Sequence, residues 1–302
     1  MTLGYLLLFS ALLGYSLLGI FHKVADRPQC RPNVIAAMLL FWGGVLTTTQ
    51  VLVSNPGGLN VPPRVALIGA AGGVFAGLAL LTFQWALRFG KISTSWLILQ
   101  LSVSVPILVS LVVYRERLNL GKVIGVGLVL GAILLLWWDK RTEREKPPGA
   151  ADDATHATPL AKAKWLPLMI FAFLANGLAA SSQKVLSETF PGRDFSWQFT
   201  VSLYWTGFLF TGAVSLLRNG LPNRQEASLG LIMAVASVVG NVMLVKAMGH
   251  GVSGSVAYPI ANGGSLFIVV AAGVLLFKER LTPAGVCGVL LGLTAILVLM
   301  LT

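Results

Sequence analysis

Long apolar stretches alternate with short polar connections along almost the whole chain. A helix that crosses a bilayer needs about 20 mostly apolar residues, and the hydropathy pattern predicts ten such stretches. They cover residues 3–21, 34–53, 65–87, 92–113, 121–138, 165–187, 197–217, 228–248, 252–276 and 282–301. The first has no basic residue before it and nine stretches behind it, so we expect a membrane span and not a cleaved signal peptide. The pattern therefore predicts a multi-span membrane protein.

The sequence pattern predicts that the spans are helices and not strands. Alternation of apolar and polar residues, which marks a membrane β-barrel, is missing, and glycine and other small residues are frequent. Composition agrees, since 56% of the 302 residues are hydrophobic and only 11% are charged. We therefore predict an all-α integral membrane protein.

One longer polar segment divides the ten spans five and five. Residues 139–164 are polar, mixed in charge and rich in Ala and Pro, a composition typical of a linker. We therefore predict a first five-helix unit over 1–138, a linker over 139–164 and a second five-helix unit over 165–302.

The two units repeat each other. YRERL at 114–118 recurs as FKERL at 277–281, and LFW at 40–42 recurs as LYW at 203–205, each 163 positions later. Because five is an odd number, the second unit must enter the membrane from the opposite side. We therefore predict ten transmembrane helices arranged as an inverted repeat of two five-helix units. In such proteins the substrate path runs near the bilayer midplane between the repeats, which favours transport by alternating access.

A family resemblance follows from the stretch MGHGVSGSVAYPIANGGSLFIVVAAGVLLFKERLTPAGVCG at 248–288. It contains a short glycine loop, an Ala-Tyr dipeptide, a glycine-rich helix, an acid-Arg-Leu turn and a Pro-Ala start to the last span. With these features the chain resembles the ten-helix, EamA-like members of the drug/metabolite transporter superfamily, and its repeat is similar to the small multidrug resistance proteins. The resemblance implies export or exchange of a small organic solute without ATP.

The chain departs from the small multidrug resistance proteins at one position. In those proteins a membrane glutamate, eight residues before a lysine near the end of the first helix, binds protons and cationic drugs. Counting back from Lys23 and Lys184 gives Tyr15 and Asn176. None of the 11 acidic residues lies within a predicted span. Because a buried carboxylate is the natural partner of a cation or proton, cation/proton antiport lacks its usual residue here.

Neutral polar and aromatic side chains remain inside the predicted spans. Amides and hydroxyls beside aromatic faces suit a neutral or zwitterionic metabolite, and aromatic faces also hold quaternary amines. Trp is also a common interfacial anchor, and Asn and Gln often only join helices, so both interpretations stay open. The expected substrate-binding residues are Tyr15, Trp42, Trp96, Gln100, Asn176, Trp205, Tyr258 and Asn262.

The charged residues of the repeats favour structural roles. We expect Glu116 and Glu279 to form interfacial ion pairs with the basic residues beside them, ending one helix and starting the next; gating is the alternative. Lys23 and Lys184 lie at the ends of predicted spans, where a long cationic side chain reaches the headgroups. If they face a cavity instead, they would bind an anionic group.

The sequence is compatible with three classes of function to different degrees. The inverted repeat favours a secondary transporter of a small organic metabolite. A flippase for a lipid-linked head group is the alternative. An integral membrane enzyme is disfavoured, because no cluster of acids, His or Cys lies within a span to supply a base, nucleophile or metal site. We therefore expect no enzymatic activity, no cofactor and no metal.

Charge distribution points to a membrane and not to nucleic acid. The formal charge is +11, but nearly all Lys and Arg residues lie in the short connections between spans, as membrane anchoring requires. The expected partners are a small-molecule substrate and membrane lipids, with function as a monomer in the cell (inner) membrane. Orientation stays open: the basic residues favour a cytoplasmic linker, whereas the resemblance implies cytoplasmic termini.

Overall fold

The computed structural model describes residues 2–54, 62–102, 104–113, 120–142, 159–190, 195–250, 252, 259–279 and 282–300. These residues fold into helices joined by short connections. The helices are α1 Thr2–Val24, α2 Pro32–Ser54, α3 Pro63–Leu87, α4 Ile92–Leu101, α5 Ser104–Val112, α6 Leu120–Thr142, α7 Pro159–Thr189, α8 Ser196–Asn219, α9 Arg224–Gly249, a π-helical turn Pro259–Gly263, α10 Gly264–Leu275 and α11 Pro283–Met300.

The all-α membrane character predicted from the hydropathy pattern is confirmed. Among the described residues, six helices are long and apolar enough to cross a bilayer, namely α1, α2, α3, α7, α8 and α9. Over their described residues, two of the predicted spans are not single α-helices. The segment 92–113 is split between α4 and α5, and the segment 252–276 contains the π-helical turn ahead of α10.

The predicted linker is shorter than its polar composition suggests. Helix α6 continues to Thr142 and α7 begins at Pro159, so both ends of the segment 139–164 are helical. Lys, Arg and Ala are good helix formers, and a helix need not end where its apolar stretch does. Residues 143–158 lie outside the described ranges.

Glycines set the closest helix crossings. The largest helix contacts join α1 with α9, α3 with α7 and α8, α2 with α8 and α9, and α6 with α11. A Cβ atom added to Gly14 on α1 would lie 2.8 Å from the backbone nitrogen of Gly240 on α9. A Cβ atom on Gly207 of α8 would lie 2.9 Å from the carbonyl oxygen of Gly73 on α3. Small residues at these crossings let the helix backbones touch, as membrane helix packing favours.

An ion pair joins the two halves of the chain at one end of the helix bundle. Glu226, in the first turn of α9, is fully buried and accepts hydrogen bonds from the Arg31 backbone nitrogen (2.8 Å), Nε (2.8 Å) and Nη2 (2.7 Å). The Arg31 guanidinium also donates to the carbonyl oxygens of Asn219 and Leu221. The hydrogen bond to Glu226 raises the pKa of Arg31 above its ordinary value. A buried carboxylate needs such pairing to offset its lost hydration.

The carboxylate of Glu279 caps a helix of the first half of the chain, and Arg280, one of the basic residues expected to pair with it, lies outside the described residues. The carboxylate accepts hydrogen bonds from the backbone nitrogens of Ile92 (2.6 Å) and Ser93 (3.2 Å) and from the Ser93 hydroxyl (2.7 Å). The first N–H groups of a helix have no partner within the helix and carry partial positive charge. Glu279 from the second half therefore fixes the start of α4 in the first half. Glu116 lies outside the described residues.

Candidate functional site

The end of α4 and the π-helical turn before α10 meet through a pair of amides. Gln100 lies in the last turn of α4, which ends at Leu101. Asn262 lies in the π-helical turn before α10. The Gln100 Nε2 atom donates to Asn262 Oδ1 at 3.3 Å. Interrupted helices in membrane proteins leave backbone groups that line cavities and bind solutes. This pair is the centre of the candidate site.

Polar side chains satisfy the backbone on both sides of the amide pair. Asn176 on α7 donates to Ser102 Oγ at 2.7 Å and to the Leu99 carbonyl oxygen at 3.5 Å, at the end of α4. The Ser265 hydroxyl donates to the Asn262 carbonyl oxygen at 2.8 Å. The last carbonyl groups of a helix lack hydrogen-bond partners within that helix. These contacts therefore stabilise the backbone at the end of α4 and at the π-helical turn.

Trp96 lies one helical turn before Gln100 on α4. Its side chain is 3% exposed, and its indole Nε1 has no hydrogen-bond partner among the described residues. The rings of Phe83 and His22 lie beside it, with centroids 5.9 and 6.1 Å away. Trp96 thus presents a donor within an aromatic surrounding next to the amide pair.

His22 and Gln84 form a buried pair behind Trp96 that the sequence did not single out. The His22 Nδ1 atom lies 2.8 Å from Gln84 Oε1, and Gln84 Nε2 donates to the His22 carbonyl oxygen at 3.2 Å. The predicted first span ended at residue 21, one residue before His22, and a lone histidine has no spacing pattern. Only the packing of α1 against α3 and α4 reveals this pair.

Trp42 and Trp205 occupy a different part of the bundle. The Trp42 Nε1 atom donates to the Ala227 carbonyl oxygen on α9 at 3.2 Å, and Trp205 Nε1 donates to Thr48 Oγ1 on α2 at 2.9 Å. Both side chains are half-buried between helices. Within the described part of the chain, no hydrogen bond or ring contact joins either of them to the Gln100–Asn262 pair.

Tyr15 belongs to a third group, beside a small cavity. Its hydroxyl donates to Asn241 Oδ1 on α9 at 3.0 Å. Asn241 also lines a cavity of about 100 Å³ between α2, α8 and α9. The cavity is lined by Thr47, Ser196, Trp197, Thr200, Tyr204, Val238, Asn241, Val242 and Lys246. The last expected residue, Tyr258, lies outside the described ranges.

The charged residues near the helix ends are paired locally. Lys23 Nζ lies 3.3 Å from Asp26 Oδ2, and Lys184 Nζ lies 2.8 Å from Glu188 Oε1. Among the described residues, no group of three or more His, Cys, Asp or Glu side chains is arranged to hold a metal ion. The amide pair and Trp96 therefore offer hydrogen bonds and aromatic contact as their chemistry.

Comparison with known proteins identifies the first half of the chain. Residues 2–138 match the model of the EamA-like transporter family, which belongs to the drug/metabolite transporter superfamily. This half is therefore similar to the EamA-like transporter family. The resemblance drawn from the sequence is thereby confirmed, and the EamA-like family is one of membrane transporters of small molecules. A transporter family agrees with the expectation of no enzymatic activity.

The fold likeness extends beyond the EamA-like half. One solved crystal structure of a protein aligns with 98% of this chain and 95% of its own chain, with a TM-score of 0.59 and 14% sequence identity. It is among 23 solved chains that match. No curated protein sequence matches the chain. At this identity the likeness shows the fold alone, over both halves.

Proposed function

We propose that the chain is a secondary transporter that moves a small organic metabolite by alternating access, with the Gln100–Asn262 pair at its solute site. The observation that carries the proposal is this contact between the end of α4 and the π-helical turn before α10. The two residues are 162 positions apart, within one position of the sequence repeat. Contact between repeat-related residues is expected at the axis between two repeats, which is where inverted-repeat transporters bind their solutes.

The helix contacts support an inverted repeat of two five-helix units. Exchanging the halves converts the contact of α1 with α9 into that of α7 with α3, and the contact of α2 with α9 into that of α8 with α3. The contacts of α2 with α8 and of α6 with α11 are converted into themselves. A two-fold axis produces such a pattern. With α4 and α5 counted as one span, and the π-helical turn and α10 as another, each unit has five spans.

The proposed substrate is neutral, zwitterionic or a quaternary amine. Amide donors and acceptors at Gln100, Asn176 and Asn262 would fix its orientation, and the Trp96 ring would supply apolar contact, as in most small-molecule sites. Tyr15, Trp42, Trp205 and Tyr258 stay predicted substrate contacts. We place the protein in the cell membrane as a monomer.

A flippase is the second candidate, because of the cavity between α2, α8 and α9. Exposed polar side chains, Ser196, Asn241 and Lys246, line it. A lipid head group that entered there would meet a cation and an amide beside an apolar wall. Lateral entry of this kind would distinguish a flippase from a transporter of soluble metabolites.

Uptake into reconstituted vesicles tests the proposal. The wild-type protein should take up at least one member of a panel of amino acids, sugars, nucleosides and quaternary amines. Gln100→Leu should reduce that uptake at least tenfold in a folded protein, because it removes the central amide. Gln50→Leu is the matched control, since Gln50 is exposed on α2 and bonds only locally to Ser54.

Two outcomes would contradict the proposal, the first its solute site and the second the transport of a soluble metabolite. One is equal uptake by Gln100→Leu and the wild type, which would remove the amide pair from the solute path. The other is a wild type that moves no soluble solute but exchanges a labelled lipid head group between leaflets, which would establish the flippase instead.

A further inference from the structure

We infer that the indole N–H of Trp96 is kept for a hydrogen-bond acceptor on the transported solute, so that the solutes carry a carbonyl or carboxylate oxygen. The inference rests on the proposed transport function and narrows its substrate class. Its starting point is a buried donor without a partner, which is uncommon because most buried polar side-chain atoms are hydrogen-bonded.

The neighbouring tryptophan shows how a structural indole is accommodated in the same core. Trp165 on α7 is 1% exposed, and its Nε1 atom donates to the Ser95 hydroxyl at 3.0 Å. Trp96 is the next residue after Ser95 on α4, is 3% exposed, and has no such partner among the described residues. Both rings belong to the same buried cluster. The difference between them is the unpaired N–H group.

The surroundings of Trp96 do not favour a permanently bound water. A buried water needs two to four polar partners. The described ring neighbours of the indole are Phe83 and His22, and His22 hydrogen-bonds to Gln84. Val269 also lies beside this part of the core, against Gly19. A solute that brings its own acceptor would satisfy the N–H group better than a water held by apolar walls.

A glycine lets helix α1 pack closely against this edge of the indole. A Cβ atom on Gly19 of α1 would lie 3.0 Å from Trp96 Cε2, the ring carbon bonded to Nε1. Gln100 lies one turn further along the same face of α4, because residues four apart stack on a helix. A solute oxygen on the indole would therefore be close to the central amide pair.

The chemistry of the donors selects the class of solute. An indole nitrogen only donates, so it recognises an acceptor and gives nothing to an ammonium group. The aromatic faces of Trp96 and Phe83 would contact an apolar part of the same solute. Amino acids, betaines and other carboxylates fit this description, whereas simple amines without an oxygen acceptor do not.

Two conservative variants separate a binding role from a packing role. Trp96→Phe and Trp165→Phe remove the same ring volume, but only Trp165→Phe removes a hydrogen bond. Thermal unfolding of the purified full-length proteins should therefore leave Trp96→Phe at least about 2 °C more stable than Trp165→Phe. A merely structural Trp96 would give equal losses.

Transport is measured with solutes that differ only in the acceptor. The pairs are phenylalanine with phenethylamine, and glycine betaine with tetramethylammonium. For an acceptor-bearing solute that the wild type moves, Trp96→Phe should raise KM by about 10- to 100-fold, the loss expected for a hydrogen bond to a charged group. Uptake of its partner without the acceptor should be unchanged, and Trp165→Phe should keep the wild-type preference.

Each outcome distinguishes this inference from the function on which it rests. If the wild type moves solutes of the panel and Trp96→Phe keeps the same KM for both members of a pair, the inference is wrong and the transporter stands. Equal thermal losses in the two variants would also overturn it. If the wild type moves none of the solutes, the proposed function is contradicted and the inference falls with it.

Discussion

The sequence resemblance predicts that Asn176 lies where small multidrug resistance proteins have a membrane glutamate, and its contacts explain why an amide suits this position. Its Nδ2 atom donates to Ser102 Oγ and to the Leu99 carbonyl oxygen. An ionised carboxylate only accepts hydrogen bonds and would face the Leu99 carbonyl with a like partial charge. Asn176 therefore braces the end of α4 through a donor that an acid does not have.

Asn176→Asp should destabilise the protein more than Asn176→Ala does. The aspartate would be a half-buried charge beside a carbonyl oxygen, and an unpaired buried polar group costs about 1–3 kcal/mol. Thermal unfolding in detergent at neutral pH measures the difference. Because protonation restores a donor, lowering the pH should narrow the gap between the two variants. A gap that does not change with pH would show that the carboxylate has found another partner.

The central residues could be predicted from the sequence because they are polar side chains within apolar stretches. Gln100, Asn176 and Asn262 come together, with Trp96 one turn away. The repeat also matched Trp42 with Trp205, yet these lie on α2 and α8 with separate partners. The sequence repeat predicts which residues of the two halves are equivalent. It does not predict how far those residues lie from the two-fold axis proposed between the halves.

At the scale of helices, Glu279 links the second half of the chain to the start of α4. Its carboxylate accepts two backbone N–H bonds and one hydroxyl bond. The short α4 begins at Ile92, and it carries both Trp96 and Gln100. Capping by Glu279 therefore sets the position of the candidate site through the helix that holds it.

Glu279→Gln should lower the stability of the fold by about 1 kcal/mol, because it removes the negative charge and one acceptor from a helix N-terminus. Uptake per folded molecule should change little, since the capped residues Ile92 and Ser93 lie eight and seven positions before Gln100, about two helical turns away. Thermal unfolding and vesicle uptake of the same preparation measure the two effects. Loss of proton coupling with unchanged stability would point to gating instead.

The α1–α9 crossing depends on two glycines that face each other. Gly14→Ala should force the helices apart, because its Cβ would lie 2.8 Å from the backbone nitrogen of Gly240. Overpacking of this kind typically costs about 1–3 kcal/mol. Gly127→Ala on α6 is the control, since a Cβ there meets nothing within 4 Å. Equal melting temperatures for the two variants would contradict the close crossing.

Hydropathy located the helices but not their interruptions. The segment 92–113 reads as one apolar run, yet the helix ends at Leu101 and restarts at Ser104. The Ser104 hydroxyl donates to the Leu101 carbonyl oxygen, and the Ser102 backbone nitrogen donates to the Leu99 carbonyl oxygen. Mean hydropathy carries no information about such hydrogen bonds. The sequence signals for the π-helical turn over 259–263 are Pro259 and the paired glycines that follow it. Such residues are equally typical of close helix packing and of a break in a helix.

Across the whole molecule, the two ends of the bundle differ. At one end Arg31 and Glu226 tie the α1–α2 connection to the α8–α9 connection. The cavity lies toward the other end, because it is lined by Ser196 at the start of α8 and Lys246 near the end of α9. An ion pair at one end and a cavity at the other would fit the proposed alternating-access cycle, in which one end is closed while the other is open.

Glu226→Ala should be strongly destabilising, by about 3 kcal/mol, because it leaves Arg31 without its buried partner. Glu188→Ala is the control. It breaks the exposed pair with Lys184, and exposed pairs contribute about 0–1 kcal/mol. Chemical unfolding of both variants measures the difference. Similar losses would mean that the Arg31–Glu226 pair is solvated in the membrane-bound protein.

The positions of the two cysteines allow thiol labelling to report the orientation of the protein in the membrane. Cys30 is buried beside Arg31, and Cys287 is exposed on α11. Burial raises the pKa of the Cys30 thiol, so the reactive thiolate is scarce while that end stays closed. In a Cys287→Ser chain in sealed vesicles, a membrane-impermeant maleimide would therefore modify Cys30 only when the Arg31 end opens, and only from the face on which that end lies. One labelling time course would report both the rate of opening and the orientation of the N-terminus.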